Sequence, residues 1–158
     1  MAFDFAARVL SQPANAALIA YTSRGQSKTR WAAVSSCPPS AVENPYFTLG
    51  THPDCVERLW NKLGERLEDD SRWVVWGRPV LVHPQSGTIF GCGIGTVYAL
   101  RLDAGDFQGA LANGYRTQHV FGNKSVLDVS DFGNTWVIGK WKEPEEAWIQ
   151  RAFLFAAS

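Results

Sequence analysis

The sequence predicts an α+β domain, an antiparallel or mixed sheet of about six to eight strands packed by about three or four helices. Three observations predict it. Short β-rich runs separated by turn residues follow one another between Arg72 and Leu102, which implies an antiparallel meander. Apolar residues recur at helical spacing over Val56–Leu67 and again near the C-terminal end. No repeat, low-complexity tract or composition break divides the 158 residues, so residues 1–158 read as a single compact domain. A chain of this length buries roughly 70% of the surface its unfolded form exposes, enough for one real core without staples.

The elements follow in order. A short helix is predicted over Phe3–Leu10, stopped by Ser11-Gln12-Pro13. The apolar runs Ala16–Thr22 and Arg30–Val34 flank the polar stretch Ser23–Lys28 and read as a hairpin, with the alanines leaving a helix open for the first run. Cys37–Gly50, rich in Pro, Ser and Asn, is a loop tied down by Tyr46 and Phe47. Thr51 or His52 can then cap a helix with Pro53 in its first turn and Asp54 near the positive end of its dipole. Val56, Leu59, Trp60, Leu63 and Leu67 give that helix one apolar stripe.

Strands are expected at Arg72–Trp76 and Pro79–His83, with a tight turn at Pro84–Gly87. Thr88–Phe90 leads into Gly91-Cys92-Gly93-Ile94-Gly95, and Thr96–Leu102 forms a longer strand. Asp106–Ala112 suits a short helix closed by Asn113-Gly114. Thr117–Phe121 and Ser125–Val129 flank Gly122-Asn123-Lys124 as a second hairpin, and Thr135–Ile138 is a further strand. The chain closes on a helix with Pro144 in its first turn, acidic residues near its start, and Trp148, Ala152 and Phe155 along its buried stripe.

Composition excludes several functions. Fifteen basic and fifteen acidic side chains cancel, and no block of like charge exceeds Glu68-Asp69-Asp70. Nucleic acid is not expected as a partner, because binding phosphate needs a clustered positive field. The same holds for an anionic membrane surface, and no apolar run approaches the ~20 residues a bilayer span needs. Met1–Phe5 lacks the basic and apolar regions of a signal peptide. Three scattered cysteines (Cys37, Cys55 and Cys92) fit free thiols in a reducing cytoplasm better than a disulfide framework.

The chemistry-bearing candidates are few. Gly91-x-Gly93-x-Gly95 strips side chains from one face of a strand, so another backbone, a ring or a ligand can come close. It has neither the spacing nor the flanking elements of a phosphate loop. Cys92 lies among these glycines, and His83 could pair across the Pro84–Gly87 turn to make a thiol–imidazole dyad. His52 and Cys55 share a helix start at metal-ligand spacing but lack a second pair, so no metal and no cofactor is expected. Asp131-Phe132-Gly133 matches a kinase triplet in letters alone and reads as a turn between strands.

Trp73 and Trp76 remain. On one strand their indoles point to opposite faces, and the C-terminal helix is available to cover the face that Val56–Leu67 leaves open. With Gly93 and Tyr98 they are the binding candidates. The expected function is a binding protein without catalysis, acting on another protein through a surface contact, as toxin-neutralising bacterial immunity proteins or antitoxins do. That comparison rests on size and character alone. The alternatives are a small-molecule binder with an aromatic pocket beside the glycine strand, and an enzyme built on Cys92 and His83.

Overall fold

A computed structural model describes residues 2–23, 33–36, 51, 53–57, 59–60, 71–139 and 146–157. Its centre is the expected antiparallel meander. Strands β1 (Val34–Ser36), β2 (Arg72–Val75), β3 (Arg78–Val82), β4 (Ile89–Ile94) and β5 (Val97–Arg101) lie side by side in chain order. A later strand, β8 (Trp136–Ile138), closes the six-stranded sheet beside β5. The intervening strands β6 (Gln118–Phe121) and β7 (Lys124–Asp128) form a separate two-stranded hairpin. The fold is therefore α+β with an antiparallel sheet, as the sequence predicts.

Each hairpin has a local cause. Val75 pairs with Arg78 across Trp76 and Gly77, both at positive φ (46° and 80°). Two left-handed residues give the turn whose twist matches its strands. A Trp rarely adopts this conformation. Here its backbone N–H is held by the Ala33 carbonyl at 3.0 Å. Trp76 thus lies in a turn and not on the strand. The two indoles do not face opposite ways, because Trp73 and Trp76 both pack against the same apolar cluster.

In β3 and β4, Leu81 opposes Gly91 while Val82 opposes Ile89, so Phe90 is the extra residue of a β-bulge. The bulge turns Phe90 into the same cluster as Leu81.

Both faces of the sheet are buried, which is why β4 reads as a continuous apolar run and not as an alternation. On one face lie Leu59 and Trp60, helix α4 (Ala104–Ala112) and helix α5 (Glu146–Ala156), with Phe90, Leu100, Trp148 and Ile149 at the centre. The C-terminal helix therefore covers the same face as Leu59 and Trp60. The opposite face is covered from the N-terminal side, by α1 (Ala2–Ser11) and α2 (Ala16–Thr22), with Val9 and Leu18 packed against Val80, Ile89 and Cys92.

Helix α2 corrects the first expected hairpin. Ala16, Ala17 and Ala20 are strong helix formers, and the buried Leu18 and Thr22 stand one helical turn apart. The alternative that the alanines left open is the one adopted. Helix α4 begins two residues before its predicted start, at Ala104, because the Asp103 carboxylate caps it by accepting the Asp106 N–H at 2.7 Å. The helix expected over Val56–Leu67 is described only in its short start α3 (Pro53–Val56) and at Glu57, Leu59 and Trp60. The expected loop Cys37–Gly50 and the first turn of the C-terminal helix around Pro144 lie outside the described residues. Among those described, no helix is long and apolar enough to cross a membrane.

Candidate functional site

Cys92 and His83 are not brought together. Cys92 faces the α1–α2 side among Val80 and Ala99, with no exposed surface. The His83 ring lies on the other side of the sheet, stacked on Phe153 of α5 with ring centroids 4.6 Å apart. Its Nδ1 accepts the backbone N–H groups of Gln85 and Ser86, each at 3.2 Å, which fixes the imidazole to its own turn. Burial pushes the Cys92 thiol up to about 12, against a smaller opposing pull from the Arg78 guanidinium. At pH 8 such a thiol is ionised in roughly one molecule in ten thousand. Cys92 of the folded protein is therefore expected to resist iodoacetamide at pH 8 and to react once urea unfolds the chain. Rapid labelling of Cys92 in the folded state, read by peptide mass, would contradict this placement.

The glycine motif has a structural use at each position. A Cβ at Gly91 would press on Leu59 and Leu81 at 3.2 Å. At Gly93 it would meet Thr51 at 2.9 Å and Pro79 at 3.0 Å, and the Thr51 hydroxyl donates to the Gly93 carbonyl at 2.9 Å. Another stretch of chain, and not a ligand, therefore occupies the space over Gly93. Tyr98 is buried with its ring over the Cα of Gly139. Trp73 stacks on Phe5 of α1, their centroids 4.6 Å apart. Trp76 is half-buried, and its indole N–H has no hydrogen-bond partner among the described residues. Three of the four binding candidates, Trp73, Gly93 and Tyr98, are thus packed against the protein's own residues.

Cys55 and Cys92 are buried, while Cys37 and His52 lie outside the described residues. No group of three or more metal-ligating side chains occurs among the described residues. Asp131 and Phe132 end a short 3₁₀ turn, Val129–Phe132, that Gly133 caps, and Phe132 is buried against Tyr21 and Trp136.

The third glycine leads elsewhere. Gly95, at φ +59°, opens the two-residue turn between β4 and β5, and a Cβ there would touch nothing within 4 Å. Gly95 also lines a cleft of about 480 Å³ between that turn, α2 and the β6–β7 hairpin. Its walls are Tyr21, Ile94, Val97, Val126 and Leu127. Its polar side is Thr96 and His119, whose Oγ1 and Nε2 lie 3.4 Å apart.

The hairpin is placed by its own chemistry. His119 opposes Leu127 and Val120 opposes Ser125, so Val126 is the unpaired residue of a second bulge and joins Leu127 at the cleft. At the hairpin base the Asp128 carboxylate accepts the hydroxyl and the backbone N–H of Ser130 at 2.6 and 2.9 Å. The Ser130 hydroxyl first, then its N–H, hold that carboxyl below the ordinary range. The Arg116 carbonyl takes the Ile138 N–H at 2.7 Å and ties the hairpin to β8.

Sequence reasoning misses Tyr21, Thr96, His119 and Val126. One signal points toward them: the adjacent apolar pair Val126-Leu127 in an otherwise polar strand, which an alternating strand cannot bury on one face without a bulge.

No family model, curated protein or solved structure matches the chain.

Proposed function

We propose that this chain is a binding protein without catalysis, acting on another protein through the β6–β7 hairpin. One observation carries the reading. Of the four large hydrophobic side chains exposed among the described residues, two stand on this one hairpin, Val120 at 45% and Val126 at 57% exposure. The other two, Leu10 and Leu154, are on separate helices. Isolated exposed apolar side chains need no explanation, whereas a pair concentrated on a hairpin outside the main sheet suits a contact surface. An inhibitor of the immunity or antitoxin kind would use such a surface to cover its target, a comparison that rests on the type of contact alone.

Native mass spectrometry on the protein isolated from its own cells tests the reading. The expected result is a second polypeptide in fixed ratio. Val120→Asp should weaken that complex by roughly thirtyfold, because a carboxylate would replace an apolar anchor at about 2 kcal/mol. A bare chain, or a complex that Val120→Asp leaves intact, overturns it.

A further inference from the structure

We infer that the cleft between α2, the β4–β5 turn and the β6–β7 hairpin binds a small, uncharged, mainly apolar molecule that carries one hydrogen-bonding end. The inference goes beyond the protein-contact reading and stands without it.

Size gives the first argument. A volume of about 480 Å³ lies inside the range of roughly 300–1,000 Å³ that small-molecule sites occupy. The lining gives the second. Ile94, Val97, Val126 and Leu127 offer aliphatic walls, and Tyr21 offers a ring. None of the lining residues is Asp, Glu, Lys or Arg, so an ionised ligand would lose its hydration without gaining a counter-charge.

The polar side gives the third. His119 and Thr96 bring an imidazole and a hydroxyl to one place, and their mutual hydrogen bond is long at 3.4 Å. His119 makes no other hydrogen bond among the described residues, so its ring can exchange this weak bond for a ligand's N–H, O–H or carbonyl.

The probe for the test is N-phenyl-1-naphthylamine, an uncharged two-ring amine with one N–H that fluoresces in apolar surroundings. We expect saturable one-to-one binding with a blue-shifted emission. Val126→Asp should weaken it at least tenfold, and His119→Ala by about five- to tenfold, the worth of one hydrogen bond. Leu154→Asp, which adds the same carboxylate on an exposed helix position, should leave it unchanged. The matched anion 8-anilinonaphthalene-1-sulfonate should bind more weakly than the neutral amine.

No binding by the wild-type chain overturns the inference, as does equal binding by Val126→Asp. Tighter binding of the sulfonate overturns the uncharged class, and full binding by His119→Ala overturns the hydrogen-bonding end. Circular dichroism of each variant separates loss of the site from loss of the fold. Because Val120 does not line the cleft, the Val120→Asp test of the protein contact can fail while the probe still binds, and the reverse.

Discussion

Replacing Asn15 by alanine is expected to destabilise the protein by about 3–4 kcal/mol, a large share of the total stability of a domain this size. The side chain has no exposed neighbourhood to compensate, being 1% exposed. Its Nδ2 donates to the carbonyls of Val9 and Gly87, both at 2.8 Å, and its Oδ1 accepts the Ile89 N–H at 2.8 Å. One amide thus joins the end of α1, the turn before β4 and the first residue of β4. Alanine would remove all three bonds and leave buried backbone groups without them, at roughly 1–3 kcal/mol each. The Val9 carbonyl keeps a long bond from Gln12 at 3.4 Å, which lowers the expected sum. Urea denaturation should show a lower midpoint with an unchanged slope. A loss below about 1 kcal/mol would mean that Asn15 is not the joint described here.

Gly139→Ala carries the second large effect. The Gly139 N–H donates to the Tyr98 carbonyl at 2.8 Å, which fixes the two backbones against each other. A Cβ at Gly139 would then fall on the Tyr98 ring, on its edge and its Cζ. That ring is 2% exposed and packed in the core below α4 and α5, so it has no free rotamer to retreat into. Overpacking of this kind costs typically 1–3 kcal/mol, and a collision with a rigid aromatic ring belongs at or above the upper end. We expect a loss of about 3 kcal/mol. Tyr98→Leu in the same chain should return part of it, because removing the ring removes the collision. Thermal and urea denaturation of the two single variants and the double variant measure the coupling, and simple additivity would show that ring and glycine do not meet.

The meander from Arg72 to Leu102 is legible in the sequence because its punctuation is local: Trp76-Gly77, Pro84–Gly87 and Gly95-Thr96 each break an apolar run at hairpin spacing. Ala16–Thr22 is ambiguous for the opposite reason. A seven-residue apolar run is too short for length or periodicity to separate strand from helix, and only its packing against the sheet decides. Which helix covers which face is not local at all. Both faces of the sheet accept apolar side chains, so nothing in the Trp148 or Trp60 neighbourhood says that the two indoles share one core. The Cys92–His83 pairing fails on similar grounds: short separation in sequence says little, because Cys92 pairs with Val80, and His83 stands an odd three residues from Val80, on the opposite face of the sheet. The cleft is the least legible part. Its walls come from Tyr21, from residues 94–97 and from residues 119–127, three stretches that only the tertiary fold brings together.

The four-residue turn Pro84–Gly87 touches both ends of the described chain. Arg8 donates to the Gln85 carbonyl at 2.8 Å, Gln12 to that of Ser86 at 3.1 Å and Asn15 to that of Gly87 at 2.8 Å. From the other side the Ser86 hydroxyl donates to the Ala156 carbonyl at 2.6 Å, and Phe153 lies on His83. Helices almost the whole chain length apart in sequence are therefore fastened to one small clasp between two central strands. Local opening usually starts at chain ends, where each terminal helix can fray alone at little cost. Here the release of α1 would loosen the turn that anchors α5, so the two helices and the β3–β4 hairpin are expected to open as a single cooperative unit, with amides that share one opening free energy in hydrogen exchange.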